Sequence, residues 1–364
     1  MFHTNINSPA LQHHATTALS RWLISLFLIL SLAACSEPVK TFKTSIFTFG
    51  TIIDVEVADV DAATANTVFQ SIESDLQRMH VFWHPWQNGP LGRTNTLCGL
   101  TGTFSAASSV IPLLIEAKRL AIKSDHLFNP AIGKLIKLWG FQQDEFDLNT
   151  PPDDAAIQAL VKANPRMTDL TIKGVRLTCN NAAIKVDLGG IAKGYALEQI
   201  LKNLQQTYQL KNIVINAGGD LKALGQRGDR LWRIGIRDPL ATNTQTAIAS
   251  IEAKSGEAIF TSGSYERYYK ANNKRIHHII DPRTGYPAKG SLSVTVIHPD
   301  ATTADAAATA IFVAGPKNWI SMAQKLGIEH VLLIDDENNV HITQAMLDRV
   351  SFIKEPDKLL VVRP

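Results

Sequence analysis

Two segments of the sequence place an acidic residue beside a pair of glycines, where binding of a phosphate group becomes possible. Residues 185–194 read KVDLGGIAKG, so that Asp187 precedes the glycines and Lys193 follows them. Bare backbone where a strand turns into a helix presents N–H groups that suit a phosphate, and a lysine adds a point charge. Residues 216–220 read NAGGD and end in Asp220. An ordinary turn is the alternative interpretation of both segments.

Two further segments carry side chains that could take part in chemistry. One holds a pair of histidines, and the other holds an aspartate in a predicted helix. His277 and His278 lie in a predicted strand, where neighbouring side chains face opposite sides, so only one of them can face a given site. Asp305 and Thr309 are four residues apart in an alanine-rich predicted helix and share one face. A carboxylate and a hydroxyl are oxygen ligands that suit a hard cation such as Mg²⁺. An aspartate near a helix N-terminus and a threonine bonded to its own helix form the structural alternative.

Composition narrows the class of protein. The chain has 364 residues, of which 45% are apolar, enough to bury a large core. Its net charge of +3 is too weak for the basic surface that nucleic-acid binding requires, so no nucleic-acid partner is expected. Three cysteines are too few for a disulfide scaffold.

The spacing of apolar residues predicts the elements that position these segments. Helical spacing covers residues 62–79, 109–123, 191–206 and 304–313, the last ending at Gly315 and Pro316. Strands are predicted over residues 46–57, 175–177, 183–188, 212–216, 232–237, 247–253, 258–261, 277–280 and 292–298. We expect 175–177 and 183–188 to pair around a turn at Asn180 and Asn181. This mixture predicts an α+β fold with much antiparallel sheet and no linker between residues 40 and 364.

The first 34 residues are predicted to be a lipoprotein signal peptide. An apolar run over residues 22–34, too short to span a bilayer comfortably, leads into Leu32, Ala33 and Ala34 just before Cys35. Cleavage there would leave residues 35–364 with a lipidated Cys35, held on a bacterial membrane and facing the periplasm. An anchor helix with an incidental cysteine is the alternative, and the choice between inner and outer membrane stays open. Whether the remaining Cys98 and Cys179 pair also stays open.

Taken together, the motifs resemble those of the FAD:protein FMN transferases, the ApbE-like flavin transferase lipoproteins. The segments that carry the resemblance occur in the family's order: FGT at 49–51, FNPAIG at 128–133, LWGF at 138–141, DLGGIAKG at 187–194, NAGGD at 216–220, TSGSYER at 261–267, HHIIDPRTGYPA at 277–288 and ADAAATA at 304–310. The resemblance implies one flavin transferase domain over residues 35–364, an α+β fold of T-fold-like paired antiparallel sheets with packed helices. It also implies transfer of FMN from FAD, the substrate, to a threonine hydroxyl of a partner protein, with Mg²⁺ bound and AMP released. A flavin-carrying subunit of a membrane redox complex would be the usual acceptor.

The resemblance also implies roles for individual residues. Flavin-nucleotide contacts fall on Phe49, Trp86, Leu127, Phe128, Asn129, Asp187, Lys193 and Ile279. The metal site falls on Asp305, Thr309 and the carbonyl of Gly190. We take His278 as the general base for the acceptor hydroxyl, because imidazole titrates near neutral pH.

Some positions depart from the family's pattern, and they keep two alternatives open. Phe49 replaces a common methionine, Asn129 replaces a common aspartate, and Ala308 stands where some relatives have another acid near the metal. The same site with water in place of the threonine would make an FAD pyrophosphatase. A non-catalytic lipoprotein that binds FAD is the other alternative.

Overall fold

The computed structural model describes Phe2 and residues 39–363, apart from 101, 144–150, 242, 244–245 and 272–273. The predicted signal peptide and Cys35 lie outside these residues. From Lys40 onwards the chain forms one compact unit. Within the described residues, no helix combines the length and the apolar character needed to cross a bilayer.

The elements are numbered here in chain order. The strands are β1 (Thr41–Thr48), β2 (Thr51–Ala58), β3 (Gly102–Ser105), β4 (Leu170–Lys173), β5 (Arg176–Cys179), β6 (Ile213–Ala217), β7 (Asp220–Leu224), β8 (Trp232–Arg237), β9 (Ala247–Ala253), β10 (Ala258–Gly263), β11 (Tyr268–Ala271), β12 (Lys274–His277), β13 (Ser291–His298), β14 (His330–Asp335), β15 (Val340–Thr343), β16 (Val350–Phe352) and β17 (Leu359–Val362). The helices are α1 (Ala62–Trp83), α2 (Pro90–Gly99), α3 (Ile111–Lys123), α4 (Gly133–Leu138), α5 (Asp154–Ala163), α6 (Ala192–Tyr208), α7 (Ala301–Leu326) and α8 (Gln344–Leu347), with a 3₁₀ turn at Met167–Asp169.

A nine-stranded sheet in the order β1-β2-β6-β7-β10-β13-β14-β15-β17 organises the unit. Its neighbouring strands run antiparallel except β15 and β17, which run parallel. Smaller sheets are formed by β16-β9-β8, by β3-β5-β4 and by β11-β12. The predicted α+β class with mainly antiparallel sheet is confirmed.

The inner strands of the large sheet are buried on both faces. In β6, Ile213 and Ile215 belong to the core shared with the helices, whereas Val214 packs with Trp232 and Ile251 of the β16-β9-β8 sheet. Since successive side chains of a strand point to opposite faces, these strands read as continuous apolar runs. The layers are therefore helices, large sheet and small sheet.

Residues 46–57 were predicted as a single opening strand. They instead belong to two strands, β1 and β2, which form a hairpin. Thr48 pairs with Thr51, and the two residues between them, Phe49 and Gly50, have φ angles of +52° and +70°. Two residues with positive φ make the tight turn that fits the twist of a hairpin. The sequence prediction was wrong here because apolar residues occupy both sides of the turn.

The predicted pairing of residues 175–177 with 183–188 was also wrong. β5 pairs with β4 around Gly174 and with β3 on its other side, so the turn lies before β5 rather than at Asn180 and Asn181. Residues 183–188 join no named strand; Lys185 forms an isolated parallel bridge with Ile132. This extended segment leads into the functional site described below.

The alanine-rich helix is longer than predicted at both ends. It begins at Ala301, where the Asp300 side chain accepts a hydrogen bond from the N–H of Thr303, as a helix N-cap does. Helical geometry is interrupted at Gly315, with φ +70° and ψ 174°, and resumes through Leu326. The expected break at Gly315 and Pro316 is therefore present, but a second helical segment follows it.

Cys98 of α2 and Cys179 of β5 form a disulfide, which the sequence left open. Their Cα atoms are 5.2 Å apart, and the bond links positions 81 residues apart in the chain. The end of α2 is thereby attached to the small β3-β5-β4 sheet.

Replacing both Cys98 and Cys179 by alanine should lower the free energy of unfolding by about 2–4 kcal/mol, because the cross-link restricts the unfolded chain. Urea denaturation of a soluble protein that begins at Ser36 measures this loss. A reductant should destabilise the wild-type protein by a similar amount and leave the double variant unchanged, which separates the cross-link from the packing of two buried sulfurs. Equal denaturation midpoints for the oxidised wild type and the variant would contradict the prediction.

Candidate active site

All but one of the predicted site residues within the described chain line a single cleft of about 240 Å³. They are Phe49, Leu127, Phe128, Asn129, Asp187, Gly190, Lys193, His278, Ile279, Asp305 and Thr309. They come from the β1–β2 turn, the loop after α3, the segment that enters α6, the loop after β12, and α7. The cleft is thus assembled from parts of the chain that are far apart in sequence.

The glycine pair follows an extended segment that is held against the loop after α3. The N–H of Asp187 donates to the carbonyl of Pro130 at 2.8 Å, and the N–H of Lys185 donates to that of Ala131 at 3.2 Å. The N–H of Gly189 donates to Oδ1 of Asp187 at 2.8 Å, which closes the turn into α6. Burial raises the pKa of Asp187 above its ordinary value.

Helices α6 and α7 meet at Gly194 and Asp305. The N–H of Gly194 donates to Oδ2 of Asp305 at 2.8 Å. A Cβ atom on Gly194 would lie 2.2 Å from the carbonyl oxygen of Ala301, so only glycine permits this approach. Asp305 is 6% exposed, and burial followed by the nearby Asp220 carboxylate raises its pKa to about 7, against the opposing effect of Lys193.

Asp220 joins the site, although it was not among the predicted site residues. It pairs with the ammonium group of Lys193 through Oδ2, and its Oδ1 accepts from the N–H of Thr261 at 2.9 Å. Burial alone would lower the pKa of Lys193, but the carboxylates of Asp220, Glu266 and Asp305 outweigh it and raise that pKa. Lys193 is therefore a firmly charged cation. The NAGGD segment was the available signal, because its glycines form the turn that places Asp220 at the start of β7.

Oxygen atoms that could serve as metal ligands lie on the side of the cleft formed by α7. The hydroxyls of Thr309 and Ser262 are 3.2 Å apart, and Gly190 packs so closely that an added Cβ would lie 3.1 Å from Oγ1 of Thr309. Asp305 lines the same cleft, and its Oδ1 receives no hydrogen bond from the described residues. A carboxylate, a hydroxyl and backbone carbonyls suit Mg²⁺ in kind. Within the described chain, no three His, Cys, Asp or Glu side chains cluster as a metal site, so such an ion would need substrate or water oxygens as well.

The two histidines face different surroundings, although the strand predicted over residues 277–280 was wrong, since β12 covers Lys274–His277 and His278 follows it. His277 is buried, and its Nε2 donates to the carbonyl of Ala288 at 3.0 Å, whereas His278 lines the cleft. Burial, with a further contribution from Arg267, lowers the pKa of His278 to about 3, so its imidazole is neutral at pH 7. Nδ1 of His278 lies 3.2 Å from the carbonyl of Arg267, which can only accept, so Nδ1 carries the proton and Nε2 is left as a base.

Glu266 and Arg267 also line the cleft, although they are not among the predicted site residues. Both belong to the TSGSYER segment, one of the motifs that carry the family resemblance. The guanidinium Nη2 of Arg267 donates to the carbonyl of Phe141 at 3.1 Å and so links the rim of the cleft to the chain after α4. Its charge also acts on Asp187, whose pKa it lowers against the larger effect of burial.

Trp86 and Asn129 have contacts of their own within the protein. Trp86 does not line the cleft; Nζ of Lys185 lies 4.6 Å from the centre of its ring. Asn129 lines the cleft, but its Nδ2 donates to the carbonyl of Pro165 at 2.9 Å and its Oδ1 accepts from the N–H of Ala131 at 3.1 Å. The amide of Asn129 therefore holds its own loop against the segment after α5, and its oxygen already accepts one hydrogen bond. The flavin contact of both residues stays a prediction.

Comparisons with known proteins agree on one family. The sequence model described as the ApbE family matches residues 49–332. The chain is 35% identical over 323 residues to an FAD:protein FMN transferase of Rhodobacter capsulatus, covering 88% of this chain and 60% of the length of that relative. It is 29% identical to the FAD:protein FMN transferase of Haemophilus influenzae, covering 87% of this chain and 93% of that one.

Solved structures give the same result. The crystal structure of an ApbE protein from Thermotoga maritima has a TM-score of 0.76 at 30% identity, covering 87% of this chain and all of that one. The flavin transferase ApbE from Vibrio cholerae has a TM-score of 0.73 at 26% identity, covering 86% of this chain and all of that one.

Gly194→Ala should lower both the melting temperature and the ligand affinity of the cleft, although alanine is ordinarily about 1 kcal/mol better than glycine inside a helix. The added Cβ would collide with α7 and displace Asp305. Thermal unfolding and FAD titration by fluorescence measure the two effects. Gly99→Ala in α2 is the matched control, since no atom lies within 4 Å of its added Cβ. Equal behaviour of the two variants would refute the role given to this contact.

Proposed function

This chain belongs to the ApbE family, and from that membership we propose that it is an FAD:protein FMN transferase. In this reaction a hydroxyl oxygen of the acceptor protein attacks the FMN phosphorus of FAD. The new P–O bond joins FMN to the protein, the P–O bond to the adenosine half breaks, and AMP leaves. The observation that carries the proposal is the cleft itself, where the DLGGIAKG, TSGSYER and ADAAATA segments converge. A threonine is the proposed acceptor residue.

Phosphoryl transfer depends mainly on positioning and on neutralised charge. Lys193 supplies a cation whose position is fixed by Asp220. The turn at Gly189 and Gly190 presents backbone where α6 begins, at the end of a helix that favours anions. Phe49, Leu127, Phe128 and Ile279 supply apolar surface on the same cleft, which suits the flavin ring.

Asp305, Thr309 and Gly190 are the residues proposed to hold Mg²⁺. When bound, the ion would neutralise charge on the pyrophosphate oxygens and so stabilise the transition state. The contact with the N–H of Gly194 occupies one oxygen of Asp305 and orients the other. Ionised Asp305 is the form that would serve as a ligand, so binding of the cation would release the proton that burial favours.

His278 is the proposed general base. Its tautomer leaves Nε2 able to take the proton of the acceptor hydroxyl as the new P–O bond forms. The low pKa of His278 makes it a weak base before FAD binds. The negative charge of bound FAD phosphates would raise that pKa toward the working range, because an anion favours the imidazolium form.

We further propose that the protein is an exported lipoprotein, anchored through Cys35 to a membrane and facing the periplasm. The apolar run before Cys35 supports export, and the Cys98–Cys179 disulfide fits an oxidising compartment. An acceptor that is the flavin-carrying subunit of a membrane redox complex would share that location.

Asp305→Asn should reduce Mg²⁺-dependent FMN transfer by about 100-fold or more, because it removes the charged ligand while keeping the shape and the acceptor for Gly194. Mass spectrometry of a threonine-containing acceptor domain, after incubation with FAD and Mg²⁺, detects the gain of FMN. Asp300→Asn is the control, since asparagine also caps a helix and Asp300 lies outside the cleft.

The same assay separates the alternatives. EDTA should abolish transfer by the wild-type protein. AMP release without acceptor, at a rate equal to transfer, would favour an FAD pyrophosphatase. FAD binding with neither AMP release nor transfer would overturn the proposed activity, and full transfer by Asp305→Asn would overturn the metal assignment alone.

Cys35→Ser should abolish lipid attachment and move the protein from the membrane fraction to the soluble fraction, since serine offers no thiol to acylate. Metabolic labelling with a radioactive fatty acid and cell fractionation measure this. Ser36→Ala should retain the label. A Cys35→Ser protein that remains labelled would refute the anchor.

A further inference from the structure

One buried side chain outside the cleft forms hydrogen bonds to the backbone of the segment that leads into the cleft. Asn95 of α2 is 5% exposed and does not line the cleft. Its Oδ1 accepts from the N–H of Val186 at 2.7 Å, and its Nδ2 donates to the carbonyl of Val186 at 2.9 Å. A single amide thus satisfies both backbone groups of a residue 91 positions away, immediately before Asp187.

The two bonds have the pattern of a strand pairing. In an extended segment, backbone groups of successive residues point to opposite sides. Lys185 and Asp187 bond on one side to the loop at Pro130 and Ala131, and Val186 bonds on the other side to Asn95. The side chain of Asn95 therefore occupies the place of a neighbouring strand.

Loss of this amide would leave two backbone groups in the interior without partners. Val186 is fully buried, so its N–H and carbonyl have no ready replacement in water. An unsatisfied buried donor or acceptor costs about 1–3 kcal/mol, and the segment can recover that cost only by moving. Asp187, the Gly189 turn and the start of α6 lie directly downstream and would move with it.

The helix that carries Asn95 is itself held in place. Cys98 lies three residues further along α2, on the same face of the helix, and is bonded to Cys179. At the other end of α2, an added Cβ on Gly92 would lie 2.0 Å from the carbonyl oxygen of Gln87, so the chain packs tightly there as well. Asn95 is thus presented by a helix with both ends restrained.

We propose that Asn95 is a positioning residue of the active site, which holds residues 184–187 so that Asp187 and the Gly189–Gly190 turn meet the flavin nucleotide. It does not touch the substrate, and it acts through Val186. The functional part of this inference rests on the proposed FMN transferase activity, whereas the positioning itself is a property of the free protein.

The test compares Asn95→Ala with Thr94→Ala. Thr94 is the adjacent residue, is 1% exposed, and bonds through Oγ1 only to the carbonyl of Pro90 in its own helix. Asn95→Ala should raise the dissociation constant for FAD about tenfold and lower kcat/KM for transfer about 10- to 100-fold, because displaced binding groups lose their alignment. Thr94→Ala should leave both values within about twofold of wild type, although it too removes a buried hydrogen bond.

Hydrogen exchange measured by mass spectrometry provides a readout without FAD. Backbone amides of residues 184–190 should exchange at least about tenfold faster in Asn95→Ala and at the wild-type rate in Thr94→Ala. If Asn95→Ala does not fold, Asn95→Ser, whose hydroxyl keeps one polar group at this buried position, takes its place in the same measurements.

The outcomes separate the two proposals. Equal exchange rates and equal FAD affinities in the two variants would overturn the role of Asn95. A wild-type protein that binds FAD but transfers no FMN would overturn the proposed activity, and the exchange and affinity comparison would still decide the role of Asn95.

Discussion

The close contact between α6 and α7 is the constraint on which the rest of the site depends. Gly194 lets the helices approach until its N–H bonds the carboxylate of Asp305, and that approach places the glycine turn before α6 beside Thr309 of α7. The large sheet supports both helices from below, because its strands bury one face against them and the other against the small sheet. A rigid two-sided core of this kind keeps catalytic groups within small tolerances.

Acidic side chains outnumber basic ones in the cleft. An anionic substrate would therefore need an added cation to offset its repulsion by these carboxylates. Asp187, Asp220, Glu266 and Asp305 line the cleft with Lys193 and Arg267 as the basic residues, so full ionisation would leave an excess of negative charge. Burial is the main cause of the raised pKa of Asp305 and the nearby Asp220 carboxylate is the second, so a proton held by Asp305 relieves part of this excess. A diphosphate entering the cleft adds further negative charge, which makes the oxygen-lined side at α7 the natural place for Mg²⁺.

Local pattern and tertiary context agree for some strands and conflict for others. β8 and β9 were predicted with the bounds that the structure has, because alternating residues between clear turns leave little choice. Residues 183–188 were recognised as extended but assigned the wrong partner. Their hydrogen bonds go to Ala131, Pro130 and the side chain of Asn95, and no periodicity in the sequence could indicate a side chain acting as a strand.

By itself the sequence determined the α+β class, the four longest helices, and eleven of the residues that line the cleft, because glycine turns, paired oxygen ligands and their order along the chain are local features. It also selected His278 rather than His277 for the site, and in the structure His278 lines the cleft whereas His277 is buried. The tertiary structure alone decided that Cys98 bonds Cys179, that Asp220 fixes Lys193, and that Trp86 lies under Lys185 instead of in the cleft. These are contacts between residues far apart in the chain, and their choice depends on how whole layers pack, which local spacing does not encode.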